Sequence, residues 1–436
     1  MSVHAKRLKV VWLCLSAAVV LGQTQARADD QQLMDRIKVL EDKIAVLEGK
    51  STQTVTQASI PQKTLDFLGQ TEISGFVSAS YIYDFSRGAK SSATPGSPTI
   101  GGRLFDSNNN SFTLDKFKLA VEHPIDYSPT NWLAGYRADL IVGQDAPLTH
   151  SSGLFGGPGS SQDIDLEQAF VDVNIPIGNG LKVIAGKTVT LMGVEVIEEV
   201  ANPNWSEGNQ FIYVENFTQT GIQLAYKWND KIDTELVVFN GWDQLPDNNS
   251  SPSFMGRIGI APDPNTTIGL LGYGGCETLV DNHDYRTGAE IVLNRNKLFT
   301  DKLNAWLQFD YGHEDNAPAA DLSGATPAVF PNADWYAAGA WATYDFTDKV
   351  ELALRADYLK DKEGVRTPFV DGSVTAPGEF SVAPKELYSL TATLNIKPIN
   401  NLQVRPEVRF DHSAASQAFD GKDDQVTALI GVAYLY

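Results

Sequence analysis

Cysteines and long apolar segments are both scarce in this sequence. It has two cysteines in 436 residues, Cys14 and Cys276. Cys14 lies in a segment that we expect to be removed, which leaves one cysteine and no intrachain disulfide. Beyond residue 28, no stretch approaches the roughly 18 consecutive apolar residues of a spanning helix. The sequence therefore excludes a membrane protein built of spanning helices, and something other than disulfides must stabilise so large a chain.

Basic residues are also scarce relative to acidic ones. The sequence has 34 Lys and Arg against 54 Asp and Glu, a formal charge of −20 at pH 7. Residues 1–28 contain four basic residues and no acidic one, so their removal leaves 30 basic against 54 acidic residues, a charge of −24. Such an acidic chain would repel the phosphate backbone, which argues against nucleic acid as a partner.

The first 28 residues are typical of an export signal. Basic residues precede a predominantly apolar run, Val10–Leu21, and Ala26-Arg27-Ala28 supplies a small-residue cleavage site. The run is too short to cross a bilayer as a helix. We therefore predict a signal peptide at residues 1–28, with the N-terminal segment of the exported chain in the periplasm.

Residues 29–50 carry a heptad pattern. Apolar residues recur at a 4-3-4-3 spacing, with Ile at a positions, Leu at d positions and opposite charges at the flanking g and e positions. These apolar residues are Leu33, Ile37, Leu40, Ile44 and Leu47. The spacing predicts a short coiled-coil helix that mediates oligomerisation, and a single amphipathic helix is the alternative. The polar segment 51–70 is predicted to be a linker.

From Thr71 onward, apolar and polar residues alternate. A period of two places successive side chains on opposite faces of a strand, and roughly sixteen such segments can be recognised. In residues 402–410, for example, one face carries Leu402, Val404, Val408 and Phe410, and the other carries Gln403, Arg405, Glu407 and Arg409. A charged face of this kind cannot lie in the core of a sandwich, although it could lie on the solvated side of a soluble sheet.

Short and long connections between these segments alternate along the chain. The short set includes residues 176–180, 229–231, 262–265 and 397–401, and the long set includes 86–110, 143–163, 191–218 and 360–385. Short turns at one end and long loops at the other, with both termini at the short end, are typical of a transmembrane barrel. We therefore predict an all-β fold, a transmembrane antiparallel β-barrel of about 16 strands over residues 71–436.

Several segments resemble the OmpL-like family of bacterial β-barrel porins. They are Ile73–Phe85, Asn110–Leu119, Asp165–Val171, Gly178–Leu181, Ala185–Thr188, Gly193–Glu198, Phe239–Asp243 and Asp247–Asn249. The resemblance is clearest over residues 71–250 and implies a porin-type barrel in the bacterial outer membrane. Outer-membrane lipids and the barrel-insertion machinery would then be its partners. The resemblance does not identify a solute.

The final segment, Val426–Tyr436, has an apolar residue at every second position. Taken alone, it would also fit an amphipathic strand of a soluble sheet. In the context of the barrel, we predict that it is the closing strand and pairs with Thr71–Phe85. Tyr434 and Tyr436 would lie at the membrane interface. The outer-membrane resemblance implies that these two tyrosines also act as the assembly signal.

The third long loop, residues 191–218, is rich in carboxylates, and its position resembles that of the constriction loop of general porins. Charges at a narrowing set the ion preference of a channel. We predict that Glu195, Glu198 and Glu199 face Arg405 and Arg409 across the pore constriction. The alternative is that these acids only keep an outer loop soluble. Further basic residues predicted to line the lumen are Arg137, Lys182, Arg257, Arg286 and Arg355.

These features predict a water-filled channel for passive diffusion of small hydrophilic solutes and ions, assembled as a homotrimer. A structural or adhesive barrel without significant transport is the alternative. We predict neither an enzyme nor a cofactor, because the few histidines have no accompanying nucleophile motif. No metal site is predicted, since the acidic stretches 106–110 and 420–424 lack a complete calcium-loop spacing.

Overall fold

The chain divides into two compact units, Met1–Gly69 and Gln70–Tyr436. The computed structural model describes residues 69–88, 100–157, 160–278, 282–317, 332–367, 385–414, 418–419 and 422–436, with the single residues Lys38, Thr64 and Phe67. The predicted signal peptide, coiled-coil helix and linker therefore lie outside the described residues, apart from these few positions near or within the linker and helix.

The second unit is built of antiparallel strands. The strands are β1 (Glu72–Asp84), β2 (Ser111–His123), β3 (Leu133–Val142), β4 (Ile164–Ile175), β5 (Leu181–Val189), β6 (Thr218–Asn229), β7 (Ile232–Phe239), β8 (Ser253–Asp263), β9 (Thr266–Cys276), β10 (Tyr285–Arg295), β11 (Leu303–Glu314), β12 (Ala333–Thr347), β13 (Val350–Asp361), β14 (Lys385–Ile396), β15 (Leu402–Ser413) and β16 (Asp424–Leu435). Two short helices accompany them in this part of the chain, α1 (Ala146–Thr149) and α2 (Asn209–Val214).

The sixteen strands close into one barrel in which each strand pairs with its neighbours in sequence. β1 pairs with β16 to complete the circle, with Phe76 opposite Leu435 and Tyr83 opposite Ala428. This confirms the predicted all-β barrel of about 16 strands and the pairing of the last segment with the first. Among the described residues, no helix is long and apolar enough to cross a membrane.

The connections alternate in length as the sequence predicted. β1 begins and β16 ends at the end of the barrel that carries the short turns, such as 230–231, 264–265 and 348–349. The opposite end carries the long connections, which include 85–110, 143–163 and 190–217. We call these the turn end and the loop end of the barrel.

Alternation along each strand separates two faces. On β13, Leu354 is 45% exposed on the outside, whereas the next residue, Arg355, is 2% exposed inside the barrel. The same holds on β15, where Val408 is exposed and Arg409 is buried. The outer surface is thus a continuous apolar band, far larger than a soluble protein tolerates, and the inner wall is polar.

Exposed aromatic residues border this band at both ends of the strands. At the loop end, Tyr311 lies directly opposite Tyr336, and Tyr358 lies opposite Tyr388. The turn end carries a second set, Trp132, Trp228, Phe299, Phe346, Tyr434 and Tyr436. Two aromatic belts that flank an apolar band are the arrangement expected where a barrel meets the two membrane–water interfaces. The role of Tyr434 and Tyr436 in assembly stays a prediction.

Two β-bulges, one on β2 and one on β4, interrupt the alternation of inward and outward side chains. Opposite Ser78 and Ala79, β2 contains one extra residue, so that Asp115 and Lys116 are both buried inside the barrel. β4 contains a similar irregularity, which buries both Glu167 and Gln168. A bulge places two consecutive residues on one face, which a strict period of two cannot predict. These bulges add two carboxylates to the interior.

The barrel seam generates a first testable prediction. A Cβ atom on Gly75 of β1 would lie 2.0 Å from the Lys118 backbone oxygen and 2.8 Å from the Tyr436 hydroxyl. The Gly75→Val substitution should therefore displace β2 or Tyr436 and lower the free energy of unfolding by about 1–3 kcal/mol. Chemical denaturation in detergent would measure this loss. Ala79→Val, at an exposed position of the same strand, is the control and should have little effect.

Candidate functional site

The connection between β5 and β6, residues 190–217, folds into the barrel, and we call it the inner loop. Its backbone N–H groups donate to carboxylate and amide oxygens of the opposite wall. Gly193 N donates to Glu290 Oε2 of β10 (2.8 Å), and Trp205 N donates to Glu407 Oε2 of β15 (2.7 Å). All six residues of α2 are buried. The loop therefore lies within the lumen, in contact with the inner face of several strands.

Two guanidinium groups of β15 bind the inner-loop backbone. Arg405 donates to the carbonyl oxygens of Glu199 (2.5 Å), Asn202 (2.8 Å) and Pro203 (2.8 Å). Arg409 donates to the carbonyl oxygen of Glu207 (2.6 Å). Because a guanidinium has five donors in a fixed fork, each arginine can satisfy several carbonyls that would otherwise be buried without a partner. These contacts fix the path of the loop.

A buried ion pair joins the inner loop to β13. Arg355 Nη1 lies 2.6 Å from Glu195 Oε1, and both side chains are almost fully buried. The second oxygen of Glu195 accepts from Gly208 N (2.7 Å), just before α2, so the same carboxylate holds two parts of the loop together. Arg355 also lies 3.2 Å from Asp357, which balances its charge further.

Two lysines of β2 hold the middle of the loop. Lys116 Nζ lies 2.9 Å from Glu199 Oε2 and donates to the Ile197 carbonyl oxygen (2.8 Å). Lys118 lies between Glu198 of the loop and two wall acids, Asp139 and Glu167. Burial opposes ionisation of Glu198, yet Lys118 and Lys116 lower its pKa to about 2. Glu198 is therefore a carboxylate over the whole physiological pH range.

Apolar contacts fix the two ends of the inner loop. Phe211, Ile212 and Val214 of α2 pack in one buried cluster with wall residues that include Trp335 and Leu359. At the start of the loop, Met192 belongs to a second cluster with Val237, Phe239, Trp242, Met255, Leu271 and Tyr273. Each large apolar side chain buried in this way contributes about 1.5–3 kcal/mol. Charge fixes the middle of the loop, and hydrophobic packing fixes its ends.

All five residues predicted for the constriction lie inside the barrel. Glu195, Glu198 and Glu199 form salt bridges with Arg355, Lys118 and Lys116, respectively. Arg405 and Arg409 donate to backbone carbonyl oxygens of the inner loop. A role of these residues in the constriction stays a prediction.

The five basic residues predicted to line the lumen each have a carboxylate partner on the inner wall or the inner loop. The pairs are Arg137 with Asp139 (2.8 Å), Lys182 with Asp172 (3.7 Å), Arg257 with Asp233 (2.9 Å), Arg286 with Glu314 (2.9 Å) and Arg355 with Glu195 (2.6 Å). Arg286 also lies over the Trp242 ring, 4.8 Å from its centroid. The inner wall is therefore charged but locally neutralised at these positions.

Sequence reasoning missed the loop-binding lysines and most of the wall acids. Lys116 and Lys118 are two positions apart, the spacing of side chains on one face of a strand, and this spacing could have indicated a charged inner face. The bulge beside Lys116 disrupts the alternation and obscures this signal. Gln308 was also missed, although its Nε2 approaches Glu215 (2.8 Å), Glu290 (3.1 Å) and Asp310 (3.1 Å).

Two cavities lie beside the inner loop toward the turn end. The larger, of about 560 Å³, has a mainly apolar lining that also includes Lys118, Arg137 and Glu198. The smaller, of about 330 Å³, is mainly polar and is lined by Arg405 and by further polar residues, Asn202, Asn304, Glu351, Asn395, Lys397 and Gln403. Val200 and Ala201 line both cavities, so this segment of the loop lies between them.

The buried Arg355 pair yields a second testable prediction. The Arg355→Met substitution leaves Glu195 and Asp357 buried without their cation, so the free energy of unfolding should fall by about 3–5 kcal/mol. Protease cleavage within the inner loop should increase as well. Arg295→Met is the matched control, because Arg295 forms a half-exposed pair with Asp263 (2.9 Å), worth about 0–1 kcal/mol. Equal losses in the two variants would contradict the anchoring role.

The fold is similar to that of solved outer-membrane channels. The outer membrane channel DcaP of Acinetobacter baumannii is 10% identical, with 84% of this chain and 97% of that chain covered and a TM-score of 0.53. An anion-selective porin from Comamonas acidovorans is 8% identical, with 84% and 99% covered and a TM-score of 0.53. The trimer form of OmpT of Vibrio cholerae is 10% identical, with 84% and 99% covered and a TM-score of 0.51. At these identities the similarity shows the fold alone.

No curated protein is significantly similar to this sequence. The family model described as "Putative beta-barrel porin-2, OmpL-like" matches residues 70–436, which is the whole of the second unit. The match agrees with the closed sixteen-stranded barrel, its polar inner wall and its inward-folded loop. The chain therefore belongs to the OmpL-like family of β-barrel porins of the bacterial outer membrane.

Proposed function

We propose that the barrel is a passive channel for small hydrophilic solutes and ions, with the inner loop as its constriction. The observation that carries this proposal is the inner loop itself, which lies within the lumen between two cavities and is held there by Arg355, Arg405, Lys116 and Lys118. A purely structural or adhesive barrel has no need of a loop fixed at this position. Membership of a porin family supports the same function.

A third prediction tests transport. Liposomes that contain the purified protein should swell in isotonic solutions of small sugars or amino acids, because these solutes would enter through the lumen. Larger oligosaccharides should enter more slowly, since the inner loop narrows the path. The rate of swelling, followed by light scattering, is the measurement. If no solute produces swelling although the barrel is folded in the membrane, the structural or adhesive alternative is correct.

We further propose that the channel prefers cations to anions. The inner loop contributes five carboxylates, Glu195, Glu198, Glu199, Glu207 and Glu215, and no Lys, Arg or His. Glu198 lines the larger cavity and is partly accessible there, with 19% of its side chain exposed. A fixed negative charge at a narrowing attracts cations and repels anions of the same size.

A fourth prediction follows for ion selectivity. In a planar bilayer with a salt gradient, the wild-type channel should show a reversal potential of the sign given by cation preference. Glu198→Gln should shift this potential toward zero, because it removes charge at the constriction. The matched control is Asp230→Asn, which removes the same charge from a fully exposed turn and should leave the potential unchanged. An anion-preferring wild type would contradict the proposal.

We also propose a homotrimer. The heptad pattern of residues 29–50 supports self-association, and one similar solved structure is described as a trimer form. A trimer of independent pores should close in three equal conductance steps in the same bilayer recordings. Single-step closure of every channel would oppose this assembly.

A further inference from the structure

A group of buried acids lies on the loop-end side of the inner loop, and we call it the acidic pocket. Its carboxylates come from four separate segments of the chain, namely the β1–β2 connection, β2, the β3–β4 connection and the inner loop. They are Asp106, Asp115, Asp145, Glu199 and Glu207, and Ser80, Phe105 and Trp205 complete the lining. Every one of the five acids is at least 93% buried, since none exceeds 7% exposure.

Several oxygens in the pocket have no donor within the described part of the chain. Asp106 Oδ1, Asp115 Oδ2, Asp145 Oδ1 and Glu199 Oε1 are buried atoms without a hydrogen-bond partner. In each case the second oxygen of the same carboxylate is bound: for example, Asp145 Oδ2 lies 3.3 Å from Lys116 Nζ. An unpaired carboxylate oxygen costs free energy when buried, and four around one pocket require a common explanation.

The pocket contains more acidic groups than basic ones. Only two cationic groups contact its five acidic side chains among the described residues, Lys116 and Arg103. Arg103 is shared, because it pairs with Asp106 (2.6 Å) and with Asp411 outside the pocket (3.1 Å).

The enclosed space is about 10 Å³, enough for one small group. A water molecule has two protons and would leave its own lone pairs facing carboxylates, since the lining offers acceptors almost exclusively. A small cation has no such mismatch. The lining suits a hard divalent ion, because carboxylate oxygens are the ligands that calcium and magnesium prefer.

A second group of acids in the barrel surrounds a cation, the ammonium of Lys118. Asp139, Glu167 and Glu198 bring one oxygen each within 4.8 Å of one another, and in the described residues this is the one group of three acids to do so. The Lys118 ammonium lies at its centre. Of the five carboxylates in the acidic pocket, Lys116 contacts only Asp145 and Glu199, and the five lie further apart than those of the Lys118 group. A bound cation would draw them together.

We propose that the acidic pocket binds one hard divalent cation of the calcium type through the carboxylates of Asp106, Asp115, Asp145, Glu199 and Glu207. The cation ties the inner loop to β2 and to the two neighbouring loop-end connections. It therefore adds to the hold that Lys116 already has on this part of the inner loop through Glu199. This site does not depend on whether the barrel conducts solutes.

Calorimetric titration of the full-length protein, folded in detergent and stripped with chelator, tests the proposal with calcium chloride as the probe. One Ca²⁺ should bind per chain. The Asp145→Asn, Glu207→Gln double variant should bind at least about tenfold more weakly. Glu167→Gln removes a buried acid from the group that Lys118 fills, and its calcium affinity should stay within about twofold of wild type.

Thermal unfolding provides an independent readout that also detects misfolding. With chelator, the double variant should unfold at a higher temperature than wild type, because it lacks two repelling charges. Added calcium should raise the unfolding temperature of wild type and leave that of the double variant unchanged. Absence of calcium binding, or equal affinity in the double variant, would overturn the proposal and show that protons balance the charge of the pocket.

Discussion

An ionised group inside a closed barrel must find an opposite charge or a hydrogen-bond partner, and the inner loop exists in its observed form because of this constraint. Wall arginines bind loop carbonyls, wall carboxylates accept loop N–H groups, and wall lysines pair with loop acids. The loop has no basic residue of its own, so it depends on the wall for every positive charge. Neither the loop nor the wall has all its charges and hydrogen bonds paired without the other, so the inner loop is an integral part of the fold.

The barrel itself could be predicted because strand alternation is a local property. On β13 and β15 the polarity of a residue indicates the face on which it lies: Leu354 and Val408 point outward, and Arg355 and Arg409 point inward. Loop lengths then define the two ends of the barrel. Strand alternation is visible within about ten consecutive residues, and loop lengths are counted along the chain, so neither signal requires knowledge of distant contacts.

The partners of the inner loop could not be predicted, because they depend on positions far apart in the sequence. Glu195 and Arg355 are 160 residues apart, and nothing in either segment indicates the other. The bulges at Asp115 and Glu167 are equally hidden, since one extra residue inverts the face of its neighbour. The acidic pocket depends on the first bulge, so sequence alone could not assemble it.

The position of the inner loop within the solute path is the central claim, and chemical modification of one residue tests it most directly. Ala201 is exposed and lines both cavities beside the inner loop. In an Ala201→Cys, Cys276→Ser variant, a bulky charged thiol reagent should attach at residue 201 and lower the single-channel conductance in a planar bilayer. Unchanged conductance in protein shown by mass spectrometry to be fully labelled would contradict the claim.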